Sequence, residues 1–258
     1  MANCRTQGIA MLLTIDAGNT RVKWGLFNAD GTLLETGACL NTAITQTKLP
    51  GAKRIVISNV AGLHTKSQIE SILPKEASVH WITAKASERG VQNCYAQPTK
   101  LGTDRWAALI AAWHIKHAPC VVVNAGTAVT VDALNEHGQF IGGMILPGIQ
   151  LMQQSLGVAT AQLPTITSEK SASVVNNQYQ DIFAKNTEDA MRAGAISAAC
   201  GAVMRMHATL VALCKQTPYI LLSGGNAQLI KDNLLCDVTN PALIVDNLVL
   251  RGLYLIEN

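Results

Sequence analysis

The chain has 258 residues and a formal net charge of +3, and 48% of its residues are hydrophobic but only 14% charged. Charged residues usually make up about 25% of a soluble domain, so this chain has more apolar surface than usual to cover, and we expect a homo-oligomer. The basic residues are scattered and aromatic residues are few, which argues against nucleic acid as a partner.

Seven cysteines without Cys-x-x-Cys spacing indicate reduced thiols rather than a disulfide framework. The sequence contains no signal core and no apolar run of about 18 residues. These features predict a cytoplasmic protein that neither spans nor binds a membrane. Residues 1–10 carry no motif, and we interpret them as an extension or a misassigned start.

The first predicted element is a strand at residues 12–16, an apolar run too short for a helix. Strands at 22–27 and 32–36 follow, joined by a turn at 28–31. A strand at 54–60, a helix at 65–73 and a strand at 79–83 come next, and a polar loop at 84–99 leads to a helix from Arg105 to about His117. Pro119 separates the halves, so we predict domains at 1–118 and 119–258.

The second half repeats the layout of the first, with strands at 120–124, 128–132 and 139–141 and a turn at 135–138. Asp16 aligns with Asn124, Gly18 with Gly126, and Asn19 with Thr127. Neither a P-loop nor a Gly-x-Gly-x-x-Gly motif is present, which argues against P-loop and Rossmann nucleotide binding. The repeat predicts an α/β chain with a duplicated ribonuclease H-like fold of the actin-like and sugar-kinase type, in which two mixed-sheet domains carry flanking helices.

Two later segments complete the predicted organisation. A helix starting near Asn186 presents a smooth face of small residues, which suits contact with a partner subunit or with the chain's own sheet; the residues are Ala190, Gly194, Ala198 and Gly201. A strand at 219–223 ends in Gly224-Gly225, before a helix at 227–233. That turn could lie against an adenosine, or it could be an ordinary strand-to-helix connection.

The first hairpin offers phosphate-binding chemistry. Asp16 ends a strand, where its carboxylate could orient Mg²⁺ on a nucleotide. Gly18 allows close approach of backbone N–H groups, Asn19 and Thr20 add neutral donors, and Lys23 would neutralise phosphate charge. The alternative is a tight turn in which these residues serve only backbone geometry.

Asp104 and Arg105 form a second candidate group. An aspartate at a helix start commonly caps free N–H groups. Beside Arg105, whose planar fork suits a carboxylate or phosphate, Asp104 could instead deprotonate a hydroxyl while the arginine holds an acidic substrate.

The whole pattern, from Leu12 to Gly252, resembles the type III pantothenate kinases. The matching motifs are Asp16-Ala17-Gly18-Asn19-Thr20 with Lys23, Tyr95-Ala96-Gln97-Pro98, Gly102-Thr103-Asp104-Arg105, Gly126-Thr127-Ala128, Gly142-Gly143 with Pro147-Gly148, and Asn186-Thr187. Several short motifs in this order are more specific than any one of them.

The resemblance implies an ATP-dependent kinase that converts pantothenate to 4′-phosphopantothenate in coenzyme A synthesis, with Asp104 as the base. It implies that ATP is held by Asp16, Ala17, Gly18, Asn19, Thr20, Arg21, Val22, Lys23 and Thr127. Pantothenate would contact Tyr95, Gly102, Thr103, Asp104 and Arg105, and Thr187 would close over it from the other subunit of a homodimer.

The family also uses Mg²⁺ and a monovalent cation, K⁺ or NH₄⁺, commonly bound by an aspartate where this chain has Asn124. An amide oxygen can coordinate K⁺ but brings no charge, so we expect weaker cation binding. The alternatives are a kinase of another small hydroxy acid and a non-catalytic transcription accessory factor of the same family.

Overall fold

The computed structural model describes residues 11–159, 182–234 and 241–258. The chain divides into two compact units. The first unit comprises residues up to Arg89, Ala96–Ala111 and Leu248–Asn258, and the second comprises Gly90–Tyr95 and Ala112–Asn247. The proposed extension at residues 1–10 lies outside the described residues, and so does the whole of the polar segment at 160–178, which the sequence predicts to be a loop.

The described part of the chain forms twelve strands and six α-helices. The strands are β1 (Leu12–Ala17), β2 (Arg21–Phe27), β3 (Leu33–Leu40), β4 (Arg54–Asn59), β5 (Ser78–Trp81), β6 (Ser87–Glu88), β7 (Val91–Asn93), β8 (Cys120–Ala125), β9 (Ala128–Leu134), β10 (Gln139–Pro147), β11 (Tyr219–Ser223) and β12 (Leu243–Ile244). The helices are α1 (Gly62–Ile72), α2 (Thr103–Lys116), α3 (Ile149–Ala159), α4 (Thr187–Cys214), α5 (Ala227–Asn233) and α6 (Leu248–Glu257). Short 3₁₀ helices lie at Asn41–Gln46 and Pro98–Lys100.

The two sheets share one topology. In the first unit the order is β3-β2-β1-β4-β5, with β1 antiparallel to β2 and parallel to β4. In the other sheet, β10-β9-β8-β11-β12 repeats this order and these directions, and β7 and β6 extend the β10 edge. The predicted duplicated ribonuclease H-like fold with mixed sheets is therefore confirmed.

The copies differ in length at the first turn. The β1–β2 turn has three residues, Gly18 to Thr20, whereas only Gly126 and Thr127 join β8 to β9. Equivalent residues are therefore 108 positions apart before the turn and 107 after it.

The local predictions fail mainly where polar residues form short elements. The predicted loop at 84–99 contains β6 and β7. The strand predicted at 139–141 extends as β10 to Pro147, because a bulge at Gly142, where φ is 140°, keeps it paired beyond the glycines. The helices α3 and α6 and strand β12 were not predicted.

Because of the C-terminal helix, the two units do not correspond to a single division of the chain at residue 118. Six residues of α6 are buried, and the helix packs against β1 and β4 of the first unit. A Cβ added to Gly252 would lie 1.8 Å from the Ala107 carbonyl oxygen, so α6 touches the α2 backbone directly. Because burial of its apolar residues is favourable, α6 packs in the first unit, and the end of the chain belongs to that unit.

The long helix α4 has one side in the core of the second unit, where Ala195, Ala199, Cys200 and Val203 are buried. The small-residue face predicted from the sequence lies on the other side and is exposed. A Cβ built on Gly194 or Gly201 meets no described atom within 4 Å. By length and composition alone α4 could cross a membrane, a test that core helices of soluble proteins also pass.

Candidate active site

The first hairpin turn is held by hydrogen bonds from within and from outside. The Gly18 N–H donates to the Arg21 carbonyl at 3.1 Å. Asn41, the residue after β3, donates its side-chain Nδ2 to the carbonyls of Gly18 and Asn19 at 2.9 and 3.0 Å. Its backbone N–H donates to the Thr20 carbonyl at 3.1 Å. Sequence reasoning missed Asn41, although it occupies the position that aligns with the noted Gly148.

Asp16 lies at the end of β1, opposite Lys23 on β2 and Ser58 on β4. Its Oδ1 is buried and has no hydrogen-bond partner among the residues described. Burial, together with the nearby Asp104 carboxylate, raises the pKa of Asp16 from 3.8 to about 7, although the Lys23 ammonium opposes the shift. An unpaired buried carboxylate oxygen is a suitable ligand for a hard cation such as Mg²⁺.

Asp104 lies in the first turn of α2, which begins at Thr103, directly after the loop residue Gly102. Its Oδ1 accepts the Arg105 N–H at 2.8 Å, so the carboxylate does satisfy one of the free N–H groups of the helix. A Cβ on Gly102 would lie only 2.7 Å from that oxygen, which explains the glycine. Burial raises the pKa of Asp104, and the Arg105 N–H and guanidinium oppose this shift.

A hydroxyl pair links β4 to α2. Ser58 is fully buried, and its Oγ lies 2.8 Å from the Thr103 Oγ1. Because Ser58 is in register with Asp16, this bond ties the start of α2 to the strand next to Asp16. Sequence reasoning missed Ser58, since a serine at a buried strand end carries no motif.

The structure therefore gathers most of the predicted residues of the first half in one region. Asp16 and Asp104 are close enough for one carboxylate to raise the pKa of the other. Lys23 lies across the hairpin from Asp16, and the 94% buried Arg105 follows Asp104 in α2. Two carboxylates with two cationic side chains can hold a metal–phosphate group and move a proton.

The second hairpin is enclosed by glycine turns of its own unit. The Gly126 N–H donates to the Ala128 carbonyl at 2.9 Å, and the Gly148 N–H donates to the Thr127 carbonyl at 2.8 Å. Gly224, at φ +98°, lies so close to Ala125 that a Cβ would come within 2.6 Å of the Ala125 carbonyl oxygen. The turns at Gly148 and Gly224 thus pack closely against the backbone of the second hairpin turn.

Asn124 occupies the place of Asp16 in the second copy. It lies opposite Thr130 on β9 and Ser223 on β11. The second copy therefore retains the serine that Ser58 supplies in the first, but it carries neither the carboxylate nor the lysine.

Tyr95 and Thr187 also belong to the second unit. The Tyr95 ring lies 5.0 Å from the Phe140 ring, and its backbone N–H donates to the Asn93 Oδ1 at 3.1 Å. Thr187 is exposed at the start of α4, after Asn186, whose side chain accepts the Asp189 N–H at 2.9 Å. The predicted helix start near Asn186 is confirmed.

The duplicated strand order and the carboxylate-bearing hairpin define a protein of the actin-like and sugar-kinase class. Within that class, the family model of type III pantothenate kinase matches residues 12–209. The chain belongs to the type III pantothenate kinase family, and the predicted resemblance is confirmed.

Curated relatives extend the match over nearly the whole chain. The type III pantothenate kinase of Nitrosospira multiformis is 40% identical over 248 residues, covering 94% of this chain and 89% of that protein. The enzyme of Nitrosomonas eutropha is 41% identical over 256 residues, covering 96% and 94%. A crystal structure from Campylobacter jejuni, assigned to the Baf family of transcriptional activators, shares the fold with a TM-score of 0.58 and 20% identity, covering 95% of this chain and 96% of that one.

Proposed function

We propose that this protein is an ATP-dependent kinase that phosphorylates pantothenate to 4′-phosphopantothenate, the first step of coenzyme A synthesis. Membership of the family supports the reaction. The observation that carries the proposal for this chain is the paired carboxylate site, in which Asp16 and Asp104 interact at the end of the first sheet.

Asp104 is the proposed base for the hydroxyl of pantothenate. A carboxylate whose pKa is raised by burial accepts a proton more readily than an exposed one, which suits a general base. The hydrogen bond from the Arg105 N–H fixes one carboxylate oxygen, so the other can face the substrate. Arg105 is the proposed partner of the pantothenate carboxylate, because its planar fork fits that group. Gly102, Thr103, Tyr95 and Thr187 are proposed as further pantothenate contacts.

The first hairpin is the proposed site for the phosphates of ATP. Asp16 and Lys23 face each other across β1 and β2, where they would bind a metal and a phosphate oxygen. Bound Mg²⁺ would neutralise charge on the transferring phosphate. The unpaired Oδ1 of Asp16 fits such an ion. We assign ATP contacts to residues 16–23 and Thr127, as the family resemblance implies.

We infer a homodimer from the exposed face of α4. Small side chains let two helices approach closely, and the face has no cover from described residues. The dimer would bring Thr187 of one protomer to the substrate of the other. A cytoplasmic location accords with the free cysteines of the described chain, among them the exposed Cys94.

The first test compares the wild type with Asp104→Asn. We expect pantothenate-dependent ADP formation by the wild type, and a decrease in kcat of at least about 100-fold in the variant, because the amide cannot take the proton. Calorimetry should show an ATP affinity within about twofold of wild type. Asp30→Asn, the same change at an exposed turn residue, is the matched control and should leave both values unchanged. Near-normal turnover of Asp104→Asn would remove its role as base, and preference for another hydroxy acid in the same assay would reject pantothenate as substrate.

A second assay addresses the monovalent cation. The neutral Asn124 should hold K⁺ or NH₄⁺ weakly, so activation should need a high concentration of either ion. Asn124→Asp adds a charge at this position and should lower the half-activating K⁺ concentration by about tenfold. Equal activity in K⁺ and Na⁺ buffers for both proteins would contradict a cation site at residue 124.

A further inference from the structure

Asn41 occupies a position at which the two copies of the fold have diverged. It follows β3, as Gly148 follows β10 in the second copy. Both residues make the same backbone bond, from their N–H to the carbonyl of the residue before the returning strand, Thr20 or Thr127. Only Asn41 adds a side chain, which donates two further hydrogen bonds.

The length of the turn accounts for this difference. The two-residue turn of the second copy is closed by the approach of Gly148, where a Cβ would lie 2.5 Å from the carbonyl oxygens of Gly126 and Thr127. The turn of the first copy is one residue longer and leaves more carbonyls to be satisfied. The Asn41 amide donates hydrogen bonds to two of these carbonyls. This arrangement costs free energy, because its own Oδ1 stays buried without a partner in the described chain.

The contacts of Asn41 also fix the direction of a backbone donor. In a trans peptide the C=O group and the following N–H point in opposite directions. Since the Gly18 carbonyl points to Asn41, the Asn19 N–H points to the other side of the turn. Asn19 is exposed, so that side is accessible to a ligand. A phosphate needs such N–H groups to be held in place before it binds.

We propose that Asn41 is a positioning residue for nucleotide phosphates: its amide holds the Gly18–Thr20 turn in the shape that binds ATP. This inference rests on the proposed function, because it assumes that the first hairpin binds phosphate. Asn41 itself touches no substrate and acts through the turn.

Asn28 provides a matched control in the same sheet. It lies at the turn between β2 and β3, where its Oδ1 accepts the N–H groups of Asp30 and Thr32 at 3.1 and 2.9 Å. Asn28 therefore accepts hydrogen bonds, whereas Asn41 donates them. An aspartate can replace Asn28 but not Asn41.

The experiment compares Asn41→Ala, Asn41→Asp and Asn28→Asp by steady-state kinetics and by calorimetry with Mg·ATP. Loss of two donated hydrogen bonds should raise the KM and Kd for ATP by about tenfold in Asn41→Ala. Asn41→Asp should be at least as impaired, because its carboxylate repels the carbonyls. The KM for pantothenate should stay within about twofold, and Asn28→Asp should match the wild type.

Two results would overturn the proposal. One is wild-type ATP affinity in Asn41→Asp, which would mean that donation by the amide is not needed. The other is an equal rise in the KM for pantothenate, which would indicate general loss of structure. If the wild type binds Mg·ATP but phosphorylates no pantothenate, the proposed function fails, while the ATP affinities still decide the role of Asn41.

Discussion

At the scale of single residues, the site contains an acidic side chain, Asp16, whose ionised form the fold does not stabilise. Asp16 is surrounded by buried strand residues, faces a second carboxylate, and has one oxygen without a partner in the described chain. Lys23 offsets only part of this cost, since the pKa remains near 7. Such residues are typical of functional sites, where binding a ligand replaces the missing stabilisation.

Asp16→Asn should therefore stabilise the metal-free protein. Between pH 4 and pH 7 the unfolded chain has an ionised Asp16 while the folded chain still binds the proton, so wild-type stability decreases as the pH rises through this range. At pH 8 the variant should be more stable by about 4 kcal/mol, and the difference should shrink towards pH 4. Thermal melts in EDTA at pH 4 to 8 would measure this. A gain that is constant with pH would contradict the raised pKa, and Asp30→Asn should give no comparable gain.

At the scale of elements, the two halves have diverged by changes at the ends of otherwise equivalent strands. The extra residue after β1 coincides with Asn41, and the shorter turn after β8 coincides with Gly148. The helix α6 is a second kind of change. It follows the second half in the sequence, but it packs on the first sheet. In both changes, a residue from elsewhere in the chain lies directly against a backbone segment.

Gly252→Ala tests the contact of α6 with α2. Alanine normally favours a helix over glycine by about 1 kcal/mol. Here the new Cβ would lie 1.8 Å from the Ala107 carbonyl oxygen, so the backbones must separate, and we expect a net loss of about 2–3 kcal/mol. Gly51→Ala makes the same change at an exposed loop glycine, where no described atom is near, and should not lower stability. Denaturant unfolding would compare them, and equal stability of the two variants would contradict the close contact.

At the scale of the whole molecule, the low content of charged residues is reflected in apolar groups left exposed. Besides the small residues of α4, Ile145, Val158 and Phe183 are exposed in the second unit. An interface between copies of this chain would cover such a surface.

Ala198→Arg is expected to convert the proposed dimer into a monomer. The large charged side chain prevents close approach of α4 to its counterpart, but residue 198 is exposed, so the fold should be unaffected. Leu63→Arg, on the 81% exposed Leu63 of α1, is the control that should remain dimeric. Light scattering after gel filtration would give both masses. A monomeric wild type would contradict the dimer.

The sequence by itself determined the duplicated strand–turn–strand pattern and the family, and it indicated Asp16 and Asp104 as candidate site residues. These depend on short segments, because alternating apolar residues and glycine turns specify strands and hairpins through near neighbours. The tertiary structure alone decided that Asn41 holds the Gly18–Thr20 turn, that Ser58 bonds Thr103, and that α6 returns to the first sheet. Each of these contacts joins residues far apart in the chain, and which distant groups meet is set by burial and shape rather than by local pattern.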